Sequence, residues 1–182
     1  MSNTALLVID LQNDYFEAGK WPLKGINQAT DNAAKLIAEF RQRDDHVIHI
    51  RHEFESDDAP FFVAGSEGAQ IHSLVAPDSK ETVVVKHQVN AFLNTELKSV
   101  LDAKGITNLV IIGAMTHNCV EAATRAASDF GYQCTVIHDA CATHDLEFNG
   151  ATVAAEDVQT AVMAALGFAY ATISSTQEFL QQ

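Results

Sequence analysis

The chain has 182 residues, 47% hydrophobic and 19% charged, the size and composition of one globular domain with a substantial core, which excludes a disordered chain. Its 24 acidic and 11 basic residues leave a net charge of −13, so neither nucleic acid nor an anionic membrane is expected as a partner. The opening MSNTALLVID lacks a basic n-region and its apolar run is too short for a signal peptide or a membrane span, and the three cysteines have no CxxC spacing; a reducing, cytoplasmic setting is expected.

Along the chain, short β-branched runs alternate with longer amphipathic stretches. The runs are Ala5–Ile9, Val47–Ile50, Thr82–Val85, Asn108–Ile112, Thr135–Ile137 and Ala169–Ile173. Several are apolar on both faces, as strands covered on both sides must be. Helical spacing covers Asn27–Gln42, Thr95–Ala103, Asn118–Phe130 and Gly150–Leu166, with Gly105 and Gly131 placed to cap helix ends. Such alternation implies right-handed crossovers. The expected fold is α/β, a three-layer α/β/α arrangement with a six-stranded, mostly parallel, Rossmann-like sheet. No linker or repeat interrupts residues 1–182, so a single domain is expected. Residues 53–80 break the rhythm, with Pro60, Gly65, Gly68 and Pro77 and little periodicity; they read as a lid, an interface element or a plain surface excursion.

Ligands of open parallel sheets bind at the carboxyl ends of the strands. There the first run ends in Asp10 and the third in Lys86, while the fourth passes through Gly113, expected to form a tight turn, into THNC, where Cys119 opens a helix. Taken singly, Asp10 could cap a turn, Lys86 could close an edge strand, and Cys119 could be an inert core thiol. Together an acid, an amine and a thiol are the parts of a nucleophilic site. Thr116 or Asn118 is expected to cap the helix. Cys119 then lies in its first turn, where free N–H groups and the helix dipole favour a thiolate and can hold an oxyanion.

Four blocks resemble the isochorismatase-like cysteine hydrolase superfamily: ALLVIDLQNDYF, VVVKHQVNAFLNTEL, VIIGAMTHNCVEAATRAASDFGY, and VIHDACATHD with the later STQEFL. The resemblance implies Asp10 as general base, Lys86 as its partner and Cys119 as nucleophile. It also implies a cis peptide between Ala114 and Met115, with the amides of Met115 and Cys119 as the oxyanion hole. No cofactor is implied. Members usually form dimers or tetramers, so a homodimer or homotetramer is expected, with residues 53–80 and the C-terminal helices as interface candidates.

Nicotinamidases in the superfamily carry an Asp-x-His metal motif after the second strand; here that stretch reads HVIHIRHEFE. His46, His49, His52 and His72 lack the accompanying carboxylate at the right spacing, so no metal is expected. Isochorismatases proper cleave a vinyl ether and usually lack the thiol. The presence of Cys119 therefore points to a small-molecule substrate with an amide, carbamoyl or ureido C–N bond. A vinyl-ether hydrolase using Asp10 and Lys86, and a non-catalytic binding or scaffold protein of the same fold, are the alternatives. Tyr15, Trp21, Asn90, Phe92 and His117 are the substrate-binding candidates by position. Cys134 reads as core, and Cys141 as a residue approaching the same edge.

Overall fold

The computed structural model describes residues 2–181. Strand β1, Thr4–Ile9, shows why a parallel sheet forms: Leu6 and Val8 pack into one layer while Ala5, Leu7 and Ile9 pack into the other. It pairs in parallel with β2, His46–His52, on one side and with β4, Asn108–Ala114, on the other. Strands β3, Thr82–Lys86, β5, Gln133–Ala142, and β8, Ala171–Ser174, complete a six-stranded parallel sheet in the order β3-β2-β1-β4-β5-β8. The α/β fold expected from the alternation is the one observed.

Helix α1, Ile26–Gln42, buries Ile26, Ala29, Ala33, Leu36, Ile37 and Phe40 on one face of the sheet, a stripe at helical spacing. The short C-terminal helix α5, Thr176–Leu180, lies on the same side and is closed by a capping box of Ser175 and Glu178. Helices α2, Leu97–Ala103, α3, Glu121–Asp129, and α4, Ala155–Ala169, cover the opposite face. Gly105 and Gly131 adopt positive φ just past α2 and α3, as expected of helix-ending glycines.

Three local expectations are corrected. Gly150–Val153 is not helical: strands β6, Leu146–Phe148, and β7, Ala151–Val153, form a hairpin around Asn149 and Gly150, both at positive φ. An Asn-Gly pair is the residue choice for such a tight turn, and it outweighs the helix propensity of the alanines that follow. Gly113 is not in a turn but within β4, beside an irregularity in the pairing with β5. Its φ is 125°, and a Cβ there would collide with the Ile9 carbonyl. Finally, neither Thr116 nor Asn118 acts as a helix cap. The peptide between Ala114 and Met115 is cis, and the chain enters α3 through a π turn, Thr116–Val120. The Thr116 hydroxyl donates instead to the Ala142 carbonyl.

Residues 53–80 are folded down onto the sheet edge. The Gln12 side chain donates to the carbonyls of His52 and Ala69 and accepts from the His52 amide. The Asp14 carboxylate accepts from the amides of Phe62 and Lys20. These two side chains follow β1 directly, so the first strand carries the anchors of the excursion. Among the described residues, no helix is long and apolar enough to cross a membrane.

Candidate active site

Parallel pairing brings the carboxyl ends of four strands to one edge. Asp10 follows β1, its amide bonded to the Ile50 carbonyl of β2. His52 and Lys86 end β2 and β3 in direct register. Cys119 stands in the π turn after β4. Asp10 and Lys86 are completely buried, and their side chains meet at 2.9 Å. The Lys86 ammonium also lies 3.3 Å from the Cys119 sulfur, 2.8 Å from His52 Nδ1 and 3.1 Å from the Gln88 carbonyl. The structure thus brings Asp10, Lys86 and Cys119 together and adds His52 to them.

Burial sets the protonation states. It pushes the Cys119 thiol up to about 12; the adjacent Asp10 carboxylate acts in the same direction, and Lys86 only partly offsets them. Against the thiolate expected from the helix start, burial and Asp10 both favour the protonated thiol. Burial likewise raises the Asp10 carboxyl above the usual carboxylate range against the pull of Lys86. Burial opposes the Lys86 charge too, but Asp10 and Cys119 outweigh it and hold the ammonium above the ordinary lysine value. His52 is pushed down to about 3 by burial and by the charge of Lys86, so its ring is neutral. Asp10 Oδ1 is buried with no hydrogen-bond partner among the described residues.

A carboxylate oxygen of Asp10, a ring nitrogen of His52 and the Cys119 sulfur lie within 4.8 Å of one another, a grouping that could in principle ligate a metal. The Lys86 ammonium already touches all three side chains, so the positive charge at their centre is the lysine's own. His49 is turned to Glu81 at 3.0 Å, and His72 stacks on Phe16, so neither reaches this point.

A cavity of about 140 Å³ opens over Cys119, lined by Tyr15, His52, Phe54, Phe61, Met115 and Asn118, with His87, Gln88 and Val89 at its wall. Tyr15 packs on Phe61 and Phe62. Trp21, partly exposed, packs at a tilt on Phe61 with centroids 5.0 Å apart and meets His144 edge-on. His117 bonds through Nδ1 to the Thr143 hydroxyl at 2.6 Å and sits against His144, beside the cavity wall rather than in it. Asn90 and Phe92 are placed elsewhere. Asn90 accepts from the Phe92 amide, and the Phe92 ring packs on Phe130 and Tyr132. The chain turns away from the edge within a few residues of Lys86, which proximity in sequence to that lysine could not reveal.

Sequence reasoning did not select as site residues Phe54, Phe61, Asn118 and His52 in the lining, nor His87, Gln88 and Val89 at its wall. For His52 a signal was present: it ends a strand at the same edge as Asp10 and Lys86. A larger cavity, about 330 Å³, lies between the starts of α1 and α4, with Cys141 in its wall. It holds neither Asp10, Lys86 nor Cys119, so chemistry rather than size identifies the site. Cys134 is buried in β5, as core.

The isochorismatase domain model matches residues 4–177. An isochorismatase family protein of Bacillus subtilis, YddQ, is 47% identical over 98% of this chain and 99% of its own length. A solved structure described as an isochorismatase hydrolase of Oleispira antarctica is 55% identical and superposes with a TM-score of 0.97 over 100% of this chain and 98% of that one. The streptothricin hydrolase of Streptomyces noursei is 33% identical over 89% of this chain and 55% of its own length. With the match spanning nearly every described residue, and with Asp10, Lys86 and Cys119 gathered at one sheet edge, the chain belongs to the isochorismatase family of hydrolases.

Proposed function

We propose that this protein is a metal-independent cysteine hydrolase that cleaves the C–N bond of a small amide, carbamoyl or ureido compound. The observation that carries the reading is the buried contact of Lys86 with both Asp10 and Cys119, under a cavity of about 140 Å³. A buried thiol next to a buried carboxylate with an unpartnered oxygen is a nucleophile next to its base. As sulfur attacks the substrate carbonyl, the thiol proton passes to Asp10 and an S–C bond forms. The amides of Met115 and Cys119 receive the oxyanion. Asp10 returns the proton to nitrogen as the C–N bond breaks, leaving a thioester on Cys119. Water, deprotonated by Asp10, hydrolyses the thioester to the acid and restores the thiol. Lys86 stays charged throughout and stabilises the sulfur and carboxylate anions as each forms. The 33% identity to a streptothricin hydrolase supports hydrolysis as the reaction type.

The test is ammonia or amine release from a panel of small amides, ureides and carbamoyl compounds, with chelator present, by wild type and Cys119→Ala. Release by wild type alone is expected. Equal release by both proteins would exclude Cys119 as the nucleophile.

A further inference from the structure

Hydrogen-bond accounting at His52 leaves one group without a use in the mechanism above. Lys86 Nζ can only donate, so His52 Nδ1, 2.8 Å away, must accept. In a neutral imidazole the single proton then resides on Nε2. That N–H is buried and has no partner among the described residues, although the residue is only 4% exposed. An orphaned buried donor is costly unless a ligand satisfies it. His52 lines the cavity that contains Cys119. The ring is also held firmly: its backbone is clamped by Gln12, and its face packs on Phe54 with centroids 4.4 Å apart.

Resting on the amidohydrolase reading, we propose that the His52 Nε2–H is a specificity-determining donor that selects substrates carrying a second hydrogen-bond acceptor near the scissile carbonyl, such as the further carbonyl of a ureide, an imide or an oxo-amide. Simple alkyl amides leave the donor unpaired and are disfavoured. A site built to hydrogen-bond a substrate group rejects analogues that lack it more strongly than an apolar pocket rejects a missing methylene.

The experiment uses activated esters that acylate Cys119 whatever the natural substrate. The nitrophenyl esters of pentanoic acid and of its 3-oxo and 4-oxo derivatives differ only in an added acceptor. Acylation forms the S–C bond, releases nitrophenolate, and is read as a burst with a matching thioester mass on Cys119. The full chain is compared with His52→Asn and His52→Gln. Asparagine places an oxygen where Nδ1 sits and can still accept from Lys86. Glutamine places an N–H where Nε2 sits.

Wild type is expected to prefer at least one oxo ester over the plain ester by about tenfold or more. His52→Asn should bring that ratio to within about twofold of one, and His52→Gln should recover part of the preference. No preference in wild type, or one unchanged in His52→Asn, overturns the inference while leaving the cysteine hydrolase intact. An equal fall on all esters in His52→Asn also overturns it, because a residue that only positions Lys86 would behave so. Absence of any acylation of Cys119 in wild type defeats the parent reading, and this inference with it.

Discussion

Two carboxylate–cation clusters sit at opposite ends of the sheet, and their contrast separates the pair proposed to do chemistry from a structural one. At the carboxyl edge, Asp10 and Lys86 are wholly buried, and one Asp10 oxygen has no partner. Before β3, Glu81 is saturated: Arg41 grips it through Nε at 2.7 Å and Nη2 at 2.8 Å, the Asp78 amide donates at 2.8 Å, and His49 reaches it at 3.0 Å. Burial pushes both carboxyls up. At Glu81 the donors overcome it and hold the group down at about 2, whereas at Asp10 the Lys86 ammonium and the Cys119 thiol together do not. A base needs an oxygen left free to take a proton; a structural carboxylate needs every oxygen used.

The sharpest test of this contrast is Asp10→Asn, which should lower kcat/KM by about 10⁴-fold, as loss of a member of a nucleophilic set does. Wild-type activity should also fall on the acid side as Asp10 is protonated, with a midpoint above the ordinary 3.8, measured in a pH–rate profile. Lys86→Met should destabilise by about 3–5 kcal/mol, because it leaves a buried charge unpaired. The double variant Asp10→Asn with Lys86→Met removes both charges and should return to within about 1 kcal/mol of wild type in chemical denaturation, folded and inactive. A double variant as unstable as Lys86→Met would mean that the pair is also structural.

Glu81→Gln should cost roughly 1–3 kcal/mol at neutral pH with activity unchanged. Its folded pKa of about 2 lies below the ordinary 4.5, so its contribution is complete above 4.5 and is lost as pH falls toward 2. The stability gap between variant and wild type must therefore close on acidification. Asp10 has the opposite sign: its raised pKa makes its charge a burden that grows as pH rises. Smallest of all, Lys24→Ala removes an exposed bridge to Asp145 and should leave the thermal midpoint unchanged within error.

Most of the sheet and three of the four polar groups that meet at the site, Asp10, Lys86 and Cys119, were legible because they obey short-range rules. Two-sided apolar runs mark buried parallel strands, and the residue that ends each run falls at the edge where ligands bind. His52 obeys the same rule, but four histidines within and after the second strand raised a metal question that drew attention from its position. Phe92 and Asn90 failed differently. Their placement depends on where the chain turns after β3, a tertiary matter that spacing from Lys86 does not encode. The aromatic lining, Phe54 and Phe61, comes from the aperiodic excursion, whose anchors Gln12 and Asp14 lie some fifty residues away in the chain. The Asn149–Gly150 turn was readable from its residue pair and was outvoted by the alanine-rich pattern beyond it.

The protonated state of Cys119 has a bearing on durability. Oxidants attack the thiolate, and burial, which pushes the Cys119 thiol up to about 12, disfavours that form at neutral pH. Under the proposed mechanism Cys119 is therefore chemically quiet between turnovers and is unmasked only when a bound carbonyl draws the sulfur forward. Cys134, Cys141, Met115 and Met163 are buried as well, so among the described residues peroxide meets no exposed sulfur.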